Sequence, residues 1–90
     1  MHKIVGNFQQ MKSREEADEI FLRKLGGRIA ELRKAKGISQ VELAYRCDIE
    51  KSNMRRIEAG NTNPTMLMIR KVANSLSITL KELLDFDAAK

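Results

Sequence analysis

One short segment of the chain concentrates hydrogen-bond donors. Residues 51–59, KSNMRRIEA, form a predicted helix that turns by about 100° per residue, so the apolar residues Met54 and Ile57 fall on one side. The donors on or beside the opposite side are Lys51, Ser52, Asn53, Arg55 and Arg56. Side chains of these types do not form a catalytic set together, but they can bind acceptor atoms. The segment therefore predicts a recognition surface.

The donor set suits the edges of base pairs in the major groove of DNA. Arg and Lys donate to N7 and O6 of guanine, Asn pairs with adenine, and Ser can contact either base. The small side chain of Ala59, on the same face, allows a close approach. The alternative is a solvated basic face, which is the commoner interpretation for an isolated helix. The elements around the segment decide between the two.

Composition predicts a single all-α domain with a polyanionic partner. The chain has 90 residues, only one proline and few aromatic residues, and it is rich in helix formers. Residues 23–71 contain twelve basic and five acidic residues, so the positive charge is concentrated in the middle of the chain. The sequence shows neither a membrane span nor a secretory signal, which predicts a cytoplasmic protein.

Helix starts and stops are marked by capping residues. A Ser or Thr followed three residues later by Glu predicts a helix start at Ser13, Ser39 and Thr79, and Thr65 is a fourth cap candidate. Gly37 and Gly60 are typical of helix ends. The predicted helices span residues 14–36, 40–47, 51–59, 66–76 and 80–85, with a possible break in the first at Gly26–Gly27. Residues 1–12 are predicted as a flexible arm and residues 13–90 as the domain.

Each predicted helix has an apolar stripe, so the five can enclose one core. The stripes are Leu22, Leu25, Ile29 and Leu32; Leu43, Ala44 and Cys47; Met54 and Ile57; Ile69, Val72, Ala73 and Leu76; and Leu80, Leu83 and Leu84. Only Asp48-Ile49-Glu50 separates the second helix from the third, which predicts a tight turn. Asp48 tolerates a left-handed backbone, and Ile49 would then point into the core.

The motif at residues 39–60 resembles the helix-turn-helix of the Cro/phage-repressor (XRE) family. The resemblance covers about residues 25–85 and rests on Ser39, Gln40, Leu43, Ala44, Ile49, Met54, Ile57, Glu58 and Gly60, with Asn63-Pro64 and Leu76 to Leu84 downstream. It departs modestly at Asp48, where the family often has Gly, and at Met54. The resemblance implies a five-helix phage-repressor-like DNA-binding domain, here with an extended N-terminal helix, that acts as a homodimer on palindromic double-stranded DNA in a prokaryote, phage or mobile element.

The family's site residues carry over position by position. Residues 40–47 become the supporting helix and 51–59 the recognition helix. Lys51, Ser52 and Arg56 match the base-reading positions, and Asn53 and Arg55 lie beside them on phosphates or flanking bases. We therefore expect base contacts from Lys51, Ser52, Arg55 and Arg56. The expected phosphate contacts are Gln40, Asn53, Asn61, Asn63 and Thr65. The family also pairs Arg33 with Glu58 in a half-buried salt bridge, so these two residues are expected to be structural.

The main alternative is a protein-interaction module, such as an antitoxin or a bridging factor with the same fold. Ile20 and Phe21 add apolar surface to the first helix, and Phe86 follows the last one; the three are candidates for a dimer or partner interface. An enzyme is not expected, because the sequence has no catalytic constellation, and neither a cofactor nor a metal site is predicted. Cys47 lies on the inward side of its helix, which favours a packed thiol over a reactive one.

Overall fold

The structure, a computed structural model, describes residues 2–86 of the chain, with side chains from residue 15 onward. This range contains five helices and no strand. In chain order they are α1 (His2–Ala35), α2 (Gln40–Arg46), α3 (Lys51–Ala59), α4 (Met66–Ser75) and α5 (Leu80–Leu83). The all-α prediction with five helices is confirmed, and the ends of α2 to α5 differ from the predicted ends by two residues at most.

The first helix is longer than the sequence predicts. It begins at His2 rather than at residue 14, and its 34 residues run through both Ser13 and Gly26–Gly27 without a break. The predicted start and the possible interruption are therefore wrong. A cap is worth only about 1 kcal/mol and favours a helix start without preventing an earlier one, and serine is tolerated inside a helix.

Gly26 stays in α1 because the helix crosses α3 at this residue. A Cβ atom at Gly26 would overlap the backbone carbonyl oxygens of Ile57 and Glu58. Gly26 is fully enclosed, whereas a Cβ atom at its neighbour Gly27 would have open space around it. The glycine pair therefore marks a close helix crossing rather than a helix break, and this crossing presses α1 directly against the backbone of α3.

Side-chain caps begin three of the helices as predicted. The hydroxyl oxygens of Ser39, Thr65 and Thr79 accept hydrogen bonds from backbone N–H groups three residues later, at 3.0–3.1 Å. At Thr79 the carboxylate of Glu82 also accepts from the backbone N–H of Thr79, at 2.8 Å, which completes a capping box. Each cap stabilises the start of its helix, because it satisfies an N–H group that has no partner within the helix.

Left-handed residues end four of the helices. They are Gly37, Asp48, Gly60 and Ser77, with φ between 59° and 78°. After each, the next N–H group bonds back to a carbonyl in the last turn of the helix: Ile38 to Arg33, Ile49 to Ala44, Asn61 to Arg56, and Ile78 to Ala73. This pattern is a Schellman motif. Two features require glycine at position 60. Its φ of 78° is left-handed, and a Cβ atom would overlap the backbone of Arg23.

Apart from Leu22, which lines a surface groove instead, the predicted stripes meet in one core. Its buried residues are Leu25, Ile29, Leu43, Ala44, Cys47, Met54, Ile57, Ile69, Val72, Ala73, Leu76 and Leu83, and partly buried leucines from α1 and the α5 region pack against them. Both α1 and α2 pack on α3, while α4 contacts α2 and α5. The recognition helix predicted from the sequence is therefore held from two sides.

None of the helices in residues 2–86 has the length and hydropathy needed to cross a bilayer. The division into a flexible arm over residues 1–12 and a domain over residues 13–90 stays a prediction, since a helical backbone does not measure motion. Met1 and residues 87–90, which belong to that division, lie outside the described residues.

Candidate nucleic-acid interface

Helix α3 has one buried side and one exposed side. Met54 and Ile57 are 0% and 6% exposed and belong to the core. The five donor residues all lie at the exposed surface: Lys51, Ser52, Asn53, Arg55 and Arg56. Ala59 is exposed as well, so no large side chain stands on this face after Arg56. The structure therefore brings the predicted base-contact residues together on one accessible helix face.

The turn before α3 sets the direction of this face. Asp48 adopts a left-handed backbone with a φ of 59°, as its position in the predicted turn requires. The N–H groups of Asp48 and Ile49 bond to the carbonyl oxygens of Tyr45 and Ala44, both at 3.0 Å. Ile49 is half-buried and packs against the core. The chain thus ends α2, anchors Ile49 and starts α3 with only four residues between the two helices.

An ion pair between α1 and α3 fixes the other side of α3. Arg33 donates from Nε to Glu58 Oε2 at 2.7 Å and from Nη2 to Glu58 Oε1 at 2.9 Å, and its Nη1 donates to the Ile38 carbonyl at 2.9 Å. The two side chains are only 10% and 7% exposed. The hydrogen bonds to Glu58 raise the pKa of the Arg33 guanidinium, against the opposing effect of burial. Arg33 and Glu58 thus occupy the structural position expected of them.

Gln40, expected on a phosphate, joins the same cluster. Its Nε2 donates to Glu58 Oε1 at 2.9 Å, and the side chain is half-buried. This bond ties the first turn of α2 to the second half of α3. An amide nitrogen carries two hydrogens, so Gln40 still has one to donate outward. The carboxylate of Glu58 therefore orients the residue that the resemblance implies as a phosphate clamp.

Arg56 is also oriented by a neighbour. Its Nη2 donates to Asn53 Oδ1 at 3.0 Å, across one turn of α3 at the surface. The carbonyl oxygen of Asn53 is then occupied, and its amide nitrogen remains a donor. Sequence spacing alone predicts Arg56 and Asn53 as separate contacts. The structure links them, so the position of one guanidinium depends on the other side chain.

The loop after α3 carries the second group of expected phosphate contacts. Asn61, Asn63 and Thr65 are exposed. The backbone N–H of Asn61 is used in the cap of α3, bonding to Arg56 O at 2.9 Å, so only its side chain can bind a phosphate. Thr65 Oγ1 accepts from Met68 N at 3.1 Å, and its hydroxyl hydrogen can still be donated.

Two surface grooves connect these groups. One runs between α2 and α3 and is lined by Val41, Tyr45, Lys51 and Asn53 together with residues of the turn. The other separates α3 from the following loop, where Asn53 faces Asn63, Pro64 and Thr65. Asn53 lines both grooves. It therefore lies between the expected base-contact residues and the expected phosphate-contact loop.

Two arginines have structural roles that the sequence analysis did not assign. Arg46 bonds to Glu42 at 2.9 Å and to the carbonyl of Ser75 at 3.1 Å, which ties α2 to the end of α4. Arg28 donates to the carbonyl of Glu82 at 2.8 Å, which ties α1 to α5. The spacing of Glu42 and Arg46 signals their pairing, since residues four apart share a helix face. The carbonyl partners have no sequence signal.

Two of the candidate interface residues lie on α1, and the third contacts one of them. Ile20 and Phe21 are 44% and 41% exposed. Phe86 is half-buried, packs against the core and contacts Phe21, with ring centroids 5.4 Å apart. We call Ile20, Phe21 and Phe86 the apolar patch. Phe86 packs against Phe21, and Ile20 and Phe21 supply most of the exposed surface of the patch.

Cys47 and the acidic residues do not assemble a reactive centre in the described part of the chain. Cys47 is buried, its Sγ lies 3.5 Å from Ser75 Oγ, and burial raises the pKa of its thiol, which disfavours the thiolate. The described residues hold no group of three His, Cys, Asp or Glu side chains placed to bind a metal ion. Cys47 is a packing residue, as its inward position predicts.

Comparison with known proteins places this region in a known class. A family model described as helix-turn-helix matches residues 29–83. The chain is 34% identical over 62 residues to control protein C.BamHI of Bacillus amyloliquefaciens, covering 68% of this chain and 76% of that protein. It is 39% identical over 62 residues to the HTH-type transcriptional regulator SinR of Bacillus subtilis, covering 68% of this chain and 56% of SinR. The chain thus spans little more than half of SinR.

A solved structure shows the same architecture. The restriction-modification controller protein C.AhdI of Aeromonas hydrophila superposes with a TM-score of 0.67 and shares 40% sequence identity, covering 69% of this chain and 94% of that one. The three similar proteins are regulators or controllers by name. The matched region of 29–83 includes the turn, both motif helices and the loop after α3.

Proposed function

The chain belongs to the Cro/phage-repressor (XRE) helix-turn-helix family, and from that premise we propose that it is a transcriptional regulator, acting as a repressor, that binds a palindromic operator as a homodimer. The regulator works in the cytoplasm of its prokaryotic host, where operator DNA lies. The observation that carries the proposal is the exposed donor face of α3, held in place by the tight turn and the Arg33–Glu58 pair.

In the proposed complex α3 enters the major groove. Lys51, Ser52 and Arg56 contact base edges, and Arg55 contacts flanking bases. The hydrogen bond that Arg56 donates to Asn53 supports this assignment, because a guanidinium that is already oriented loses less freedom when it binds a base. The direct base contacts supply sequence specificity, which phosphate contacts alone cannot do.

Phosphate contacts hold the protein in register on both sides of α3. Gln40 binds a phosphate from the start of α2. The phosphate contacts on the other side come from α3 and the loop after it: Asn53, Asn61, Asn63 and Thr65. The bond between Gln40 and Glu58 supports this arrangement, because it positions a free amide hydrogen at a helix start that also offers unpaired N–H groups. Binding then depends strongly on salt, since each neutralised phosphate releases counterions.

A second copy of the chain is the proposed occupant of the apolar patch. A palindromic operator needs two α3 helices about one turn of DNA apart, roughly 34–36 Å, and a twofold protein dimer supplies them. Ile20 and Phe21 are large apolar residues at the surface, and Phe86 supports Phe21 from below. A contact through this patch leaves the donor face of α3 free to bind DNA.

Selection of bound sequences from a random DNA pool tests the proposal. We expect one palindromic site with half-sites about 10 bp apart, bound at least about 10³-fold more tightly than random DNA. The selection is repeated at two salt concentrations, and the mass of the protein in solution is measured alongside. Weak, sequence-indifferent DNA binding together with a tight protein complex would instead favour the interaction module, such as an antitoxin or bridging factor.

The dimer contact has its own test. Phe21→Ser should weaken the dimer in sedimentation equilibrium and weaken operator binding at low protein concentration. Leu67→Ser is the control, because Leu67 is also an exposed large apolar residue but lies on α4, away from the proposed contact. Equal effects of the two substitutions on the dimer would contradict an interface at Ile20 and Phe21.

A further inference from the structure

A basic residue outside the motif lies beside the loop that follows α3. Arg23 is exposed on α1, and the left-handed Gly60 lies directly against it. A Cβ atom at Gly60 would be 2.7 Å from Arg23 Cα and 2.8 Å from Arg23 Cγ. The Arg23 side chain therefore runs past the end of α3, and its stem occupies the space that any residue other than glycine would need.

The guanidinium of Arg23 has no acceptor within the described part of the chain. It forms no hydrogen bond or ion pair there, although Glu19 lies four residues earlier on the same helix and lines the same groove. Arg33, Arg28, Arg46 and Arg56 all have such partners. The five N–H donors of Arg23 form a fork that fits a phosphate, and within the described residues they have no partner.

The groove beside Arg23 also contains residues that the proposed function places on DNA. Its lining consists of Glu19, Leu22, Arg23, Gly60, Asn61, Thr62 and Asn63. Asn61 and Asn63 are two of the expected phosphate contacts. Because Arg23 and these two asparagines line one groove, a phosphate bound by the loop comes within reach of the arginine side chain.

We propose that Arg23 is an additional phosphate-binding residue, which extends the DNA contact from the loop after α3 onto α1. This inference rests on the proposed function and adds a residue to its interface. Gly60 makes the contact possible, because its missing side chain lets Arg23 lie over the loop. Glu19 opposes the contact, since its carboxylate lies in the same groove and repels a phosphate.

The test compares four variants on the selected operator and on a scrambled duplex. Arg23→Gln removes the charge, Arg23→Lys keeps it, and Glu19→Gln removes the opposing carboxylate. Lys81→Gln, on α5, is the matched control for loss of one exposed positive charge. Dissociation constants are measured over a range of salt concentrations, and the melting temperature of each variant is recorded.

Arg23→Gln should lower the slope of log K against log salt by about 0.9 for each protomer bound, whereas Arg23→Lys and Lys81→Gln keep the wild-type slope. Raising salt from about 50 to about 200 mM should therefore weaken the wild type about 3.5-fold more than Arg23→Gln, per protomer. The loss should be equal on both duplexes, because a phosphate contact carries no sequence information. Glu19→Gln should tighten binding.

A structural role predicts a different result. The exposed carbonyls at the end of α3 attract positive charge, so Arg23 could simply stabilise that helix. In that case Arg23→Gln lowers the melting temperature and leaves the salt slope of the folded protein unchanged, which overturns the inference. A wild-type protein without salt-dependent binding to any duplex would instead overturn the proposed function itself. A steep wild-type slope that Arg23→Gln does not change overturns only the assignment of Arg23.

Discussion

Arg33 and Arg56 each donate to a side-chain oxygen on α3, Arg33 from inside the domain and Arg56 from its surface. Arg33 makes two bonds to Glu58, at 2.7 and 2.9 Å, and a third to a backbone carbonyl. Arg56 makes one bond to Asn53, at 3.0 Å, and is otherwise exposed. The bond lengths are similar, so distance does not separate the two residues. Burial and the number of satisfied donors do.

This difference explains how one small domain contains two kinds of arginine. Each side-chain nitrogen of Arg33 donates to a partner inside the protein. Among the described residues, its removal would leave the Glu58 carboxylate with Gln40 as its one side-chain partner. The donors of Arg56 are largely unused, so they can bind an acceptor that comes from outside. A charged side chain on this domain is therefore structural where its partners are internal, and available for recognition where they are not.

The largest expected effect comes from breaking the buried pair. Arg33→Ala should lower the free energy of unfolding by about 3–5 kcal/mol, because it leaves a carboxylate buried without its charged partner. Urea denaturation measures the loss. The double variant Arg33→Met with Glu58→Met is the control and should recover most of the stability, since it leaves no buried charge. Unchanged melting with abolished DNA binding would instead move Arg33 into the DNA contact set.

Substitution of the exposed arginine, Arg56, should weaken DNA recognition and leave the fold intact. Arg56→Ala should cost about 1–3 kcal/mol of binding free energy and relax specificity at one base position, with little change in melting temperature. Binding to a set of single-base operator variants measures this. Arg70→Ala is the matched control, because Arg70 is an exposed arginine on α4, outside the proposed DNA contacts. If Arg56→Ala weakens binding equally on every sequence, Arg56 contacts a phosphate instead.

Thr65 has both a structural role and a proposed role in DNA binding, so its substitution should affect both stability and binding. Its hydroxyl oxygen caps α4, so Thr65→Ala should cost about 1 kcal/mol of folding stability. The variant also loses the hydroxyl hydrogen proposed to bind a phosphate. Thermal melting and operator titration are measured on the same sample. Thr65→Ser keeps both functions and should behave like the wild type; normal binding by a destabilised Thr65→Ala would limit Thr65 to its capping role.

The smallest effect is expected for an exposed ion pair. Glu42 and Arg46 have side chains 47% and 42% exposed, and such helical pairs are worth about 0.3–0.5 kcal/mol. Glu42→Ala should therefore change the urea midpoint only slightly, with Arg46 still bound to the carbonyl of Ser75. A loss as large as that of Arg33→Ala would show that burial does not separate the two ion pairs.

Local sequence signals predicted most of the fold. Apart from the start of α1, the helix ends lie within two residues of their predicted positions. The signals are the caps at Ser39, Thr65 and Thr79 and the left-handed residues Gly37 and Gly60. They are readable in the sequence because each interaction spans only a few residues. The signal at Ser13 failed for the same reason. A cap motif depends only on the residues of its own turn, so it does not show that the helix already begins at His2.

The candidate site was predictable in its residue types and less so in its internal contacts. The spacing of Met54 and Ile57 is enough to put Arg55 and Arg56 on the outer face of a helix. No spacing rule predicts that Gln40 donates to Glu58, because the two residues are 18 positions apart. Sequence also did not reveal that Gly26 is needed for a helix crossing, since a Gly-Gly pair more often marks a turn or loop.

The sequence by itself determined the five-helix plan, the amphipathic α3 and the family, because each depends on patterns within a helix or a turn. Tertiary structure alone decided which donors are consumed and which are free. Arg33 is satisfied because α1 crosses α3 closely enough to reach Glu58. Arg23 lies against Gly60 beside the loop and forms no hydrogen bond or ion pair within the described residues. Those outcomes depend on distances between separate helices, and such distances follow from packing the whole core.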